Sequence, residues 1–277
     1  MPKHYWRLNE IQKYADERLA KYNQEGQHKV EKQEFPINTQ CTLKGVVFTH
    51  PEYTQHMIVF SGMMQYSEHY VEREWALHTT TASNIHSFNY RGTSHNDVDP
   101  SEETLISDGV SIVKQVLGQG VDPKKIVLYG TSLGGGIAIL VAAKLADEGI
   151  HVYAVVNERS FSSLTSASSA VFGKLFSTVL HASTNWELDA AAVVDKIKGK
   201  IIVIYHPNDY YVRKIASFEQ AIRQKNLPNA TFIEMDDNNE PWLHEDKIGH
   251  WLHKGHCRDL NNKELLLLNN DLKKEPS

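Results

Sequence analysis

Six short runs of apolar, largely β-branched residues punctuate the chain: Met57–Phe60, Ile85–Tyr90, Ile126–Tyr129, Val152–Val156, Ile201–Tyr205 and Thr231–Met235. In runs such as Ile201-Ile202-Val203-Ile204, successive positions are apolar, so neither face is left for water. This pattern predicts strands covered on both sides. Helical patterns fill the intervals. Ser101 follows Pro100 and precedes Glu102 and Glu103, an N-cap with acid in the first turn. Ile106, Val110, Val113 and Leu117 then form one stripe, closed by Gly118. Ile137–Ala146 is apolar nearly all round, which predicts a buried helix. Asn261 and Glu264 make a capping-box start for a last helix, Glu264–Leu268 onward. Near the N-terminus, Leu8, Ile11, Ala15 and Leu19 recur at helical spacing among mixed charges. That stripe is narrow, so it predicts an amphipathic helix docked on the domain in preference to one on a membrane surface. Strands alternating with helices predict an α/β fold, a mostly parallel sheet with helices on both faces.

No linker splits the pattern. The expected organisation is an N-terminal helix and lead-in over residues 1–40 and one domain over 41–277. Residues 160–200, rich in Ser and Ala with Val171, Phe172, Leu175, Phe176, Val179 and Leu180, predict a small helical lid or a core-packing helix with its connections.

Composition narrows the partners. The 277 residues are 41% hydrophobic and 23% charged, which excludes wholesale disorder. Net charge is −5, with no basic run. Nucleic acid is therefore not expected as a partner, and membrane contact is peripheral at most. No stretch approaches the roughly 20 apolar residues needed to span a bilayer, and Met1–Tyr22 lacks the apolar core of a signal peptide. The expectation is a soluble, cytoplasmic protein. Cys41 and Cys257 read as free thiols of a reducing compartment.

The chemistry concentrates in Lys125–Gly136. A buried strand runs through Gly130-Thr131-Ser132-Leu133-Gly134 straight into a buried helix. A serine at such a corner is held in a strained turn, and the flanking glycines remove side chains that would strike the neighbouring strand and helix. Its hydroxyl then projects over the sheet's carboxyl edge, where α/β proteins bind ligands. A phosphate-cradling loop does not fit, because the Gly-x-x-x-x-Gly-Lys-Ser/Thr pattern is absent. Ser132 is thus a candidate nucleophile, needing an acid and then a histidine later in the chain. Asp209, in His206-Pro207-Asn208-Asp209, follows the run Ile201–Tyr205 and is the candidate acid, ahead of Glu158. Four histidines follow the last strand: His244, His250, His253 and His256. His256, after Gly255 and five residues before Asn261, is the preferred base, and His250, after Gly249, is the alternative. The histidines at 250, 253 and 256 drift around a helix instead of converging, and neither His-Glu-x-x-His nor Cys-x-x-Cys occurs; no metal is expected.

From about Val46 to about Leu272 the sequence resembles the α/β-hydrolase superfamily. Phe88-Asn89-Tyr90-Arg91-Gly92 is similar to its Asp-Tyr-Arg-Gly segment, with Asn89 in place of Asp. Gly130–Gly134 resembles the nucleophile elbow, Asp209-Tyr210-Tyr211-Val212 the acid turn, and Gly255-His256 the segment before the last helix. Asn157–Leu164 carries a fainter resemblance to lipase-like hydrolases of intracellular bacterial pathogens. The resemblance implies an α/β-hydrolase fold and a serine hydrolase that cleaves a carboxylic ester of a lipid or other acyl substrate without a cofactor. It places the oxyanion donors at the backbone N–H groups of Leu133 and Met63. A peptidase or thioesterase on the same scaffold, or a catalytically silent binding module, are the alternatives.

Overall fold

The computed structural model describes residues 3–62, 65–92, 100–166, 186–207, 209, 216–236 and 260–274. Among the described residues, eight strands build one sheet: β1 (Lys29–Asn38), β2 (Cys41–Thr49), β3 (Gln55–Phe60), β4 (Ser83–Phe88), β5 (Ile126–Thr131), β6 (Ala154–Glu158), β7 (Lys200–Tyr205) and β8 (Ala230–Glu234). Their spatial order is β1-β2-β4-β3-β5-β6-β7-β8. The β1–β2 and β2–β4 pairs are antiparallel and the rest are parallel. The six apolar runs all become strands, shifted by up to two residues at their ends. β1 and β2 are additions. In β1 only Val30 and Phe35 are buried among charged, exposed positions, and β2 begins in alternation before its short buried run Val46-Val47-Phe48. β1 also brings the segment ahead of residue 41 into the sheet.

The helices among the described residues are α1 (Lys3–Tyr22), α2 (Val71–Thr81), α3 (Glu102–Gly118), α4 (Leu133–Asp147), α5 (Phe218–Lys225) and α6 (Asn262–Lys273), with a single turn at Ala190–Val193. They sort onto two faces through the two-residue period of the strands. Ile58, Phe60, Leu128, Val155 and Val203 pack with Ile112 and Val113 of α3, Ile137 and Val141 of α4, and Phe218 of α5. Met57, Val59, Val127, Tyr129, Val156 and Ile204 pack with Leu19 and Tyr22 of α1, Leu77 of α2, and Leu265 and Leu268 of α6. Each such side chain contributes roughly 1.5–3 kcal/mol by leaving water.

Both caps form as expected: Ser101 with Thr104 at α3, and Asn261 with Glu264 at α6. The buried face of α3 is rotated from the expected stripe. Leu105, Ile112 and Val116 join Val110 and Val113 in the core, while Ile106 and Leu117 are half-buried. The close approach of Gly109 to Phe60 and Val141 sets this rotation, since a Cβ there would lie 2.7 Å from each. Cys41 is buried, and Cys257 lies outside the described residues. So do residues 167–185 of the expected lid; those flanking them form a bridge from Phe161 to Ser217 and the turn at Ala190–Val193. Among the described residues, no helix is long and apolar enough to cross a membrane.

Candidate active site

The elbow follows from two forced glycines. A Cβ on Gly130 would sit 2.1 Å from the Gly134 carbonyl oxygen, and one on Gly134 would sit 2.0 Å from that of Phe60. No side chain fits either position. The chain therefore turns from β5 into α4 within one residue, Ser132, at φ 53° and ψ −119°. A non-glycine residue held with positive φ costs on the order of 1–3 kcal/mol. Strand pairing supplies the restraint: Ser132 N–H donates to the Glu158 carbonyl at 2.9 Å, and Gly135 N–H donates back to the Ser132 carbonyl at 2.9 Å. Leu133 is the first residue of α4, so its N–H has no carbonyl one helical turn earlier to bond with. It faces the end of the helix where a developing negative charge is favoured.

The loop after β3 is held on either side of Met63, which itself lies outside the described residues. Gly62 N–H donates to the Gln65 side-chain oxygen at 2.8 Å, and Tyr90 hydroxyl donates to the Ser61 carbonyl at 3.0 Å. The neighbouring residues explain the departure at Asn89. Its oxygen accepts from Ser67 N–H at 2.8 Å while its amide donates to Glu68 at 2.8 Å, a donation that an aspartate could not make. Arg91 then forks onto the fully buried Asp108, with Nε to Oδ2 at 2.7 Å.

Asp209 lies just past β7, half-buried, with its N–H donating to the His206 carbonyl at 3.2 Å. Two strand spacings, about 10 Å, separate β5, which leads into Ser132, from β7, which leads into Asp209. His250 and His256 fall outside the described residues, as do His244 and His253. Glu158 is engaged elsewhere. Its Oε2 accepts from Tyr129 hydroxyl and from Thr131 hydroxyl at 3.1 Å, and its Oε1 accepts from Arg159. Arg73 of α2 completes the group, donating to Thr131 at 3.2 Å. Burial pushes the Glu158 carboxyl up, but the charges of Arg159 and Arg73 and the hydrogen bonds of Tyr129 and Arg159 outweigh it, leaving the group below its ordinary value. Burial also drives the Tyr129 phenol far up, helped by the Glu158 charge. Sequence reading missed this network. Arg159 adjoins Glu158 in the chain, but nothing local marks Arg73 as their partner. Among the described residues, no group of three or more His, Cys, Asp or Glu has the arrangement to hold a metal ion.

A family model described as Chlamydia CHLPS protein (DUF818) matches residues 46–249, most of the chain. The chain belongs to the CHLPS family. Solved structures show that the chain has the α/β-hydrolase fold. An α/β hydrolase from Vibrio vulnificus superposes with TM-score 0.60 at 17% identity, covering 85% of this chain and 86% of the other. An esterase of the bacterial hormone-sensitive lipase family gives TM-score 0.62 at 13% identity, over 88% and 83%. The chain is also 32% identical over 78 residues to a lysophosphatidylserine lipase of Danio rerio, covering 28% of this chain and 20% of that protein. With protein bem46 of Schizosaccharomyces pombe it shares 32% identity over 90 residues, 32% of this chain and 29% of the relative. The matched segments thus span less than a third of these curated relatives.

Proposed function

We propose that the protein is a serine hydrolase cleaving a carboxylic ester of a lipid or other acyl substrate. The single observation that carries this reading is the strained, positive-φ Ser132 at the β5–α4 corner. In the proposed reaction Ser132 Oγ attacks the ester carbonyl and its proton passes to His256. The tetrahedral oxyanion is met by the N–H groups of Leu133 and Met63, where one donor is worth roughly 3 kcal/mol. Collapse expels the alcohol, which takes the proton from His256; water then repeats the sequence and releases the acid. Asp209 holds the His256 tautomer. Both Glu158 oxygens already accept bonds inside the sheet edge, which favours Asp209 over Glu158 as the acid.

The test is turnover of a short p-nitrophenyl ester together with mass-spectrometric location of a fluorophosphonate adduct. Ser132→Ala should lose both turnover and adduct while keeping its fold; full activity there overturns the reading. His256→Gln should be inactive, and activity lost at His250→Gln instead would move the base. Asp209→Asn should lower kcat by about four orders of magnitude, the size seen when the tautomer is wrong.

A further inference from the structure

The proposed oxyanion donor Met63 falls between β3 and α2, in a stretch whose described residues are tied down by side chains. Gly62 and Gln65 bracket it: Gly62 N–H donates to the Gln65 side chain at 2.8 Å, and Gln65 N–H donates back to the Gly62 carbonyl at 3.3 Å. Two residues further on, Ser67 N–H donates to Asn89 Oδ1 at 2.8 Å. Asn89 is fixed just past β4, where its own N–H donates to the Lys44 carbonyl of β2 at 2.8 Å. The bond from Ser67 settles the amide: its oxygen faces a backbone donor, so its nitrogen faces Glu68.

Glu68 collects the remaining donors. Its Oε2 accepts from Asn89 Nδ2 at 2.8 Å and from Ser67 hydroxyl at 3.1 Å. Its Oε1 accepts from the Gln12 amide of α1 at 3.4 Å. Ser67, Glu68 and Asn89 are all buried, so a donor deprived of its acceptor there has no water to turn to. A carboxylate suits the place because it only accepts, and its three neighbours donate. The charged side chains around it are otherwise directed. Lys32 holds the Gln12 oxygen and Asp16. Glu74 has its carboxyl pushed up to about 8, chiefly by burial, with the Glu68 charge the smallest contribution. An aspartate at 89 would put a second carboxylate oxygen in the place of Nδ2, 2.8 Å from Glu68.

We infer that Glu68 is a positioning residue for the reaction: paired with Asn89, it fixes the segment that presents the second oxyanion donor. The inference rests on Met63 supplying that donor. It gives the amide at 89 a task that a carboxylate could not perform. It also joins α1, through Gln12, to the edge of the active site.

A charge swap tests it, read as kcat and KM on one p-nitrophenyl ester, per site titrated with fluorophosphonate. At about pH 8, Asn89→Asp should lower kcat roughly tenfold or more while KM stays within about threefold. The ratio of variant to wild type should climb as pH falls toward about 5.5, where two facing carboxylates can share a proton. Glu68→Gln should cost the wild type less than about threefold, because its oxygen still accepts from Asn89. In the Asn89→Asp background the same change should raise kcat to within about threefold of wild type and flatten the pH ratio, a reversal of sign that only a direct pair produces. Glu68→Leu removes the acceptor without adding charge. It should lower kcat roughly tenfold at every pH, and it carries the test if Asn89→Asp does not fold. Asn89→Asp as fast as wild type, a swap no faster than Asn89→Asp alone, or an unchanged kcat in Glu68→Leu overturns the inference. A wild type that turns over no ester overturns the hydrolase reading and this inference with it, a separate result seen before any substitution is made.

Discussion

Glu158 and Glu74 are both fully buried, and both feel Arg73, yet the protein treats them in opposite ways. Around Glu158 two arginines and two hydroxyl groups converge at the carboxyl ends of β5 and β6, and the carboxylate stays ionised. Around Glu74, on the inner side of α2 against β4, only Ser87 hydroxyl donates, at 2.6 Å, and Oε2 has no partner among the described residues. Burial wins there, and the carboxyl rises to about 8. Adjacent residues of one helix diverge by about 100°, so Arg73 and Glu74 serve different neighbourhoods from the same turn. Depth alone does not decide whether a carboxyl is charged. The opposite charges beside it, and then the donors it collects, do.

The contrast can be broken most forcefully at Glu158. Glu158→Gln leaves two buried guanidinium groups without their anion and should cost about 3–5 kcal/mol, a fall of about 10 °C in Tm for a chain of this size. A loss under 1 kcal/mol in urea unfolding would mean that the two sites do not differ.

Glu74→Gln should act in the opposite direction. A carboxyl raised in the folded state contributes stability that is fully present below its unfolded value, near 4.5, and is lost as pH rises through about 8. The wild type should therefore lose about 1.4 kcal/mol per pH unit across that window relative to the glutamine variant. The two should be equally stable near pH 4, with the variant ahead by on the order of 3–4 kcal/mol near neutrality. Buried neutral histidines such as His78 and His86, depressed chiefly by burial to about 4 and about 3, act alike in both proteins and cancel. Parallel stability curves for the two proteins would refute the assignment.

Arg73→Gln is the mildest change. It removes the bond to Thr131 and one of two cations near Glu158, for about 1–3 kcal/mol. It should also push the Glu74 titration still higher, which the same pH series would detect as a window extending above 8.

Much of the frame was legible in the chain because its central strands are buried on both faces, so their apolar runs have no other reading. Ile201–Ile204 is an example. β1 escaped notice for the converse reason: in Lys29–Asn38 only Val30 and Phe35 are buried, too sparse to register. The elbow was legible since a local steric need, two glycines around a serine, is written locally. The Arg73–Glu158 neighbourhood was not. It joins residues 85 positions apart, and an arginine bound for the core carries the same letter as one bound for water.

The outermost strand has a consequence for how the protein behaves among its own copies. β1 closes one side of the sheet, and among the described residues nothing pairs with its outer rim. An unpaired rim invites a second chain to add strands and begin a fibre. Here Lys29, Glu31, Lys32 and Glu34 alternate in sign along it, and Pro36 withholds an N–H. At the other side β8 is only five residues long. A crowded solution thus meets a sheet whose borders are poor templates for aggregation, a safeguard built from the same charged residues that hid β1 as a strand.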